Sequence, residues 1–282
     1  MVQVKGAAAL AKQPARVCTH PWEFAAEPFR IAGKLYYVGN SSVSSHLIDT
    51  GDGLVLIDAT YPQTVYLLLE SIRRLGFDPD DIRHILHCHA HYDHVGGTRA
   101  MVELTGAETV LGEADIEIVE RLLDQTWAPE YGFGFHEGFR VDHPLNDGDV
   151  VTVGDVAFTC VAIPGHTPGS ISFFFDVVEE GKTYRVGIHG APGLNTLTEE
   201  YLAKNDLPFS RRDDYLNSLG RLRREKVDIF IGAHPAQNDT LGKRKRMTDD
   251  DNPFIDPGAW GTFLDDLETR ARELFAGRDG ST

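Results

Sequence analysis

The spacing of apolar and polar positions changes period several times along the chain, and each change marks an element. "KLYYVGN", "SSHLIDT" and "GLVLIDAT" are short runs rich in β-branched and aromatic residues. The Gly-Asp-Gly of residues 51–53 between the last two predicts a hairpin. "PQTVYLLLESIRRLG" carries apolar residues at helical spacing and ends on Gly76 as its cap. "IRHILHCHAHYDHVGG" reads as a buried strand running into a loop, with a helix from about Thr98 to Leu104 after it. A second helix is predicted over "EADIEIVERLLDQ", then a long aromatic and glycine-rich loop, "TWAPEYGFGFHEGF". Strand patterns return in "DVVTVGDVAFTCVAIPG", "SISFFFDVV" and "TYRVGIHG". A helix around "DDYLNSLGRLRREK" leads to one more buried strand, "VDIFIGAHP". The last helix is amphipathic, with Trp260, Phe263, Leu264, Leu267, Ala271 and Leu274 on one face. This order of elements predicts a layered α/β fold, whose sites form on the loops after strand C-termini.

Composition narrows the class. With 282 residues, 41% hydrophobic, the chain has ample material for a core. No run approaches the ~20 apolar residues of a membrane span. The N-terminal "MVQVKGAAALAKQPARVCTHPWEF" is too weakly apolar for a secretory signal. A cytoplasmic location is therefore expected, or a periplasmic one if a signal peptide has been removed. Cys18, Cys88 and Cys160 are odd in number and far apart, which argues against a disulfide framework. A net charge of -16 disfavours nucleic acid as a partner. A small-molecule substrate is expected, with no membrane association.

The chemistry concentrates in "HCHAHYDH", residues 87–94. His89 and His91 are two apart at a strand-to-loop junction, so in extended geometry both rings point the same way. Asp93 and His94 follow where the chain turns, and Gly96-Gly97 permits a tight turn beside them. Imidazole nitrogen and carboxylate oxygen are zinc ligands. "IPGHTPGS" contributes His166 and "FIGAHP" contributes His234, each directly after a buried run and bracketed by Gly or Pro. Together these six make two three-ligand sites, so two zinc ions are expected.

The chain resembles the metallo-β-lactamase superfamily in the H-x-H-x-D-H of His89, His91, Asp93 and His94. The likeness continues through "LYYVGNSSVSSHLIDTGDGLVLIDA", "IPGHTPGSISFFF", "GAPG", "GAHP" and "NPFIDP", and the last two look most like the third subclass of metallo-β-lactamases. It implies an αββα sandwich of two internally related halves, residues 28–282 forming one hydrolase domain after an N-terminal extension, 1–27. His89, His91 and His166 would hold the first zinc, and Asp93, His94 and His234 the second. The implied reaction is opening of a cyclic amide, β-lactamase-like, by a hydroxide held between the metals; a lactone or thioester is the alternative substrate. Asp93 would orient the nucleophile or take its proton, and Asp58 would support the metal loop from behind. His189 stands where relatives carry a bridging aspartate or serines, and is expected near the metals or the substrate. Of the long loop, Trp127, Tyr131, Phe133 or Phe135 are expected to wall the cleft. The remaining histidines, His20, His46, His84, His136 and His143, read as surface, loop or core-edge residues, and His87 as core or support. Diiron redox chemistry is set aside because the flavodiiron proteins carry Glu at the position of His91 and an added flavodoxin domain.

Overall fold

The computed structural model describes residues 15–277, so residues 1–14 of the expected extension and residues 278–282 lie outside the described residues. The first sheet is ordered as in the chain: β1 (Phe29–Ala32), β2 (Leu35–Tyr37), β3 (His46–Asp49), β4 (Leu54–Ile57), β5 (Ile82–Leu86), β6 (Glu108–Gly112) and β7 (His143–Leu145). Strands β1 to β4 pair antiparallel, and β4 to β7 pair parallel. The second sheet is built from β8 (Val150–Val153), β9 (Val156–Ala162), β10 (Ile171–Glu179), β11 (Lys182–His189) and β12 (Ile229–Gly232). Its spatial order is β12-β11-β10-β9-β8.

Period-2 patterning decides how the sheets stack. Along β10, Ile171, Phe173, Phe175 and Val177 point between the sheets, where they meet Val55, Leu86 and Val110. Phe174 faces the other way and packs edge-on against Trp260, ring centroids 5.8 Å apart. Each of these side chains contributes about 1.5–3 kcal/mol by leaving water. Helices cover both outer faces. α1 (Arg16–Thr19) precedes the sheet; α2 (Val65–Arg74), α3 (Tyr92–Val95) and α4 (Thr98–Thr105) follow in the first half. Leu68 and Ile72 of α2 and Met101 of α4 bury against Leu47, Leu56 and Ile85. α5 (Ile116–Glu120), α6 (Glu199–Lys204), α7 (Arg211–Leu222), α8 (Thr240–Arg246) and α9 (Ala259–Phe275) complete the chain. Leu219 and Leu222 of α7 and Leu264 and Leu267 of α9 cover Phe174 and Phe230. The layers are therefore helix, sheet, sheet, helix, the expected αββα sandwich. Among the described residues no helix is long and apolar enough to cross a membrane.

One expected element is shorter than its pattern. The helix over "EADIEIVERLLDQ" is only α5; Arg121 leaves helical geometry at φ −138°. The returning segment docks there instead, Phe139 N–H donating to the Val119 carbonyl and Val141 N–H to Glu120 Oε1. The chain goes on as a 3-10 turn, Leu123–Thr126, and Trp127 takes a left-handed φ of 69°.

Candidate metal centre

β4 and β5 run parallel in the first sheet, and β9, β11 and β12 run alike in the second. All five strands deliver their C-terminal ends to one edge of the sandwich. His89 and His91 lie just past β5, Asp93 and His94 in α3, His166 past β9 and His234 past β12. The structure brings the six together. Nε2 of His166 is 2.9 Å from Nδ1 of His91, and both rings stand over His89. Nε2 of His94 is 3.3 Å from Nε2 of His234, and Oδ2 of Asp93 is 3.5 Å from each. Ligand atoms on a tetrahedral ion at ~2.0–2.1 Å are ~3.4 Å apart, so this donor set fits zinc. Among the described residues, His89, His91 and His166 form one buried group with metal-ligand spacing, and His89, Asp93 and His94 another.

Four of the five imidazoles, those of His89, His94, His166 and His234, are aimed by what their other nitrogen touches. A carbonyl oxygen can only accept, so the facing nitrogen carries the proton and the far one keeps its lone pair. His89 Nδ1 donates to the Gly190 carbonyl at 2.9 Å and His166 Nδ1 to the Gly193 carbonyl at 2.8 Å. His234 Nδ1 donates to the Ser42 carbonyl at 2.9 Å, which puts a residue of the second sheet under control of a loop of the first. The "GAPG" segment, residues 190–193, thus orients two ligands through its backbone. Gly190 can approach that closely only without a side chain, since a Cβ there would lie 1.9 Å from the Ile171 carbonyl oxygen.

Two buried aspartates hold the loops. Asp58 Oδ1 accepts from Cys88 N–H at 2.9 Å and its Oδ2 pairs with His94 Nδ1 at 2.8 Å. It does so from a left-handed backbone, φ 61°, a conformation that costs about 1–2 kcal/mol. Burial alone would depress His94, but Asp93 and Asp58 carry its pKa up to about 9. Asp115, which the sequence did not single out, accepts from Ala90 N–H at 3.0 Å, Thr167 Oγ1 at 2.6 Å and Gly169 N–H at 2.7 Å. It clamps the His89–His91 loop to the loop that carries His166. Burial raises its carboxyl above the ordinary value, against the lowering pull of those three donors.

Around the cluster, the other expected residues divide. Trp127 sits 5.7 Å from the His91 ring and 4.8 Å from Tyr201. The Tyr131 hydroxyl is 3.4 Å from that of Tyr61, and burial together with the Asp93 charge pushes its phenol upward. Phe133 and Phe135 pack behind, against Val17, Tyr61 and Tyr92. His189 is fully buried and lies against Trp260 and Phe263 of α9 rather than in either ligand group. Its Nδ1 accepts from Ala191 N–H at 3.3 Å, and burial pulls its pKa down to about 3. His87 bridges the Val110 carbonyl and Thr98 Oγ1, and Cys88 packs in the core between the sheets. Beside His91 and His166 the edge opens into a cleft lined by Gln125, Tyr201, Asn205 and Arg211. Arg211 is half-buried there and makes no ion pair or side-chain hydrogen bond among the described residues.

Comparison with known proteins agrees with the geometry. The family profile described as "Metallo-beta-lactamase superfamily" matches residues 38–234. Among sequences, an N-acyl homoserine lactonase of Bacillus thuringiensis is 24% identical over 228 residues, 68% of this chain and 81% of that protein. The hydroxyacylglutathione hydrolase GloC of Haemophilus influenzae is 28% identical over 195 residues, 67% of this chain and 81% of that one. Among solved structures, the subclass B3 metallo-beta-lactamase BJP-1 of Bradyrhizobium japonicum has a TM-score of 0.82 and 29% identity, covering 93% of this chain and 98% of that one. The metallo-beta-lactamase GOB-18 of Elizabethkingia meningoseptica gives 0.82 and 29%, covering 96% and 99%. With two sheets, one ligand-bearing edge and the profile spanning both halves, the chain belongs to the metallo-beta-lactamase superfamily and is a hydrolase of that fold.

Proposed function

We propose that this protein is a dizinc hydrolase that opens a cyclic amide carrying a carboxylate, a β-lactam, with Asp93 as its proton-handling residue. The observation that carries this reading is the guanidinium of Arg211, unpaired among the described residues, in the cleft beside His91 and His166. His89, His91 and His166 would hold one ion and Asp93, His94 and His234 the other. Zinc bound there would supply a Lewis acid for the carbonyl oxygen and a water that ionises near neutral pH.

The rest is done by the chain. Asp93 is the one carboxylate among the six, so it is the group that takes a proton from the attacking water and passes it to the departing nitrogen. Tyr131 and Tyr61 lie near enough for the Asp93 charge to add to the burial that raises both phenols. Arg211 binds the carboxylate of the substrate, and Trp127 supplies apolar wall over His91. The bicyclic ring is then held by its anion at one end and by its carbonyl at the other. Extensive structural likeness to subclass B3 enzymes over more than nine-tenths of the chain supports the lactam. The lactonase and the thioester hydrolase among the relatives keep a lactone or thioester as the second reading. An acyl homoserine lactone has no carboxylate for Arg211 to bind, which favours the lactam over the lactone; a glutathione thioester does carry carboxylates, and the structural likeness to the B3 enzymes favours the lactam over it.

Turnover of nitrocefin beside an N-acyl homoserine lactone and a glutathione thioester decides between them, with zinc counted by elemental analysis. Two zinc ions per chain and preferential nitrocefin turnover are expected; faster lactone turnover would transfer the assignment. Asp93→Asn is expected to keep the fold, by circular dichroism, and to lose about 10²–10⁴ in kcat/KM. Unchanged kinetics at equal metal content would remove Asp93 from its role.

A further inference from the structure

His84, Glu108 and His143 lie far from the cleft, on β5, β6 and β7. His84 is five residues before His89, ~16 Å down an extended strand at ~3.3 Å per residue. The parallel register sets His84 beside Glu108, and Val110 beside His143. Side chains of registered neighbours in a parallel pair point to one face, and Glu108 shares its face with Val110. All three therefore project on the side that faces the other sheet, at the rim where the core ends. His84 and His143 aim Nε2 at one atom, Glu108 Oε2, at 3.4 and 2.7 Å, and one ligand atom from each residue lies within 4.8 Å of the others.

We propose that His84, Glu108 and His143 form a second metal site, separate from the catalytic cluster, that takes a divalent transition ion such as zinc. Two imidazoles and a carboxylate suit zinc, nickel or copper, whereas calcium and magnesium require oxygen donors. Three hydrogen-bonded strands fix the backbone beneath the donors, so binding has only side-chain freedom to restrict. Exposure of Glu108 and His143 gives an ion access and leaves water to complete the coordination. Burial draws His84 below its ordinary value, the hydrogen bond from His143 holds the Glu108 carboxyl low, and an ion would displace the proton that His143 Nε2 donates to Glu108. Bound there, an ion ties β7, the edge strand, to its neighbour β6 and to β5 beyond it. The site does not depend on the proposed hydrolase activity.

The test is equilibrium dialysis of the full chain against micromolar free zinc, with His143→Ala and the double variant His84→Ala/His143→Ala beside it. The parent is expected to hold one more zinc per chain than either variant. Because the catalytic cluster is common to all three proteins, the difference reads this site even if the cluster holds no zinc. Equal zinc in parent and variants would overturn the proposal. If circular dichroism shows a variant unfolded, anomalous scattering from zinc-soaked parent crystals replaces the comparison. A peak between the three side chains supports the site, and peaks confined to other positions overturn it.

Discussion

A guanidinium half withdrawn from water with no paired carboxylate among the described residues retains most of its appetite for an anion. Arg211 is in that state, its pKa lowered by burial. A charge-assisted bond to a substrate carboxylate is worth about 1.5–3 kcal/mol. Arg211→Ala is therefore expected to raise KM for a carboxylate-bearing β-lactam by roughly 10–100-fold, with kcat changed much less. The same substitution should leave a neutral lactone unaffected, and steady-state kinetics on the pair checks both statements. His46 shows the opposite problem, a buried polar ring with no partner on either nitrogen among the described residues. Burial pulls its pKa to about 4, against the pull of Asp58, while the unfolded chain keeps the ordinary value near 6.5. The unfolded state thus gains a proton first as pH falls, and stability present above about 6.5 is lost on the way down to about 4, at about 1.4 kcal/mol per pH unit. Guanidinium melts at pH 7 and pH 4.5 should show a smaller acid loss in His46→Leu than in the parent, by about 2–3 kcal/mol. An equal loss in both would mean that other groups set the acid limit.

Among elements, what the sequence makes legible is what local pattern determines. The β3–β4 hairpin, α2, β10 and α9 carry their own periodicity or turn residues, and the six ligands stand in short strand-to-loop motifs. Strands β1, β6 and β7 carry no such signal. "ETVLG" pairs on one side with β5 and on the other with a strand that contains Pro144, tolerable because β7 is an edge. The supports of the metal loops were illegible for a related reason. Gly190, Gly193 and Ser42 act through backbone carbonyls, and Asp115 reaches partners 25 to 54 residues away in sequence. Asp115→Ala would orphan two buried N–H groups, at about 1–3 kcal/mol each if neither relaxes, and would leave the Thr167 hydroxyl with Ser170 as its remaining side-chain partner. It is expected to lower Tm by several degrees and to weaken zinc binding about 10–100-fold, because it frees the His166 loop from the His89–His91 loop. Calorimetry and zinc titration measure the two effects; a loss of stability without loss of affinity would make Asp115 purely structural.

Among the described residues three apolar layers, one between the sheets and one beneath each helical face, are built mainly from strand and helix side chains and contain none of the six candidate metal ligands. Removing metal should therefore leave the sandwich folded but softer. With free zinc at a thousand times its Kd the ion adds about 4 kcal/mol, so a chelator should lower Tm while far-ultraviolet circular dichroism at 25 °C stays the same. Collapse of that spectrum on chelation would show that the layers cannot stand alone. The ligands themselves come from far apart: His89 and His234 are 145 residues from one another (234 − 89), and His234 takes its aim from Ser42. For a chain emerging from the ribosome this sets an order of events. The histidines of the first half leave the exit tunnel long before β12 is made, so the pair of ions cannot be captured by a nascent half-molecule. If the six residues hold two ions as proposed, uptake of the second becomes a closing step of biogenesis, and a truncated chain that ends before residue 234 would leave it in solution.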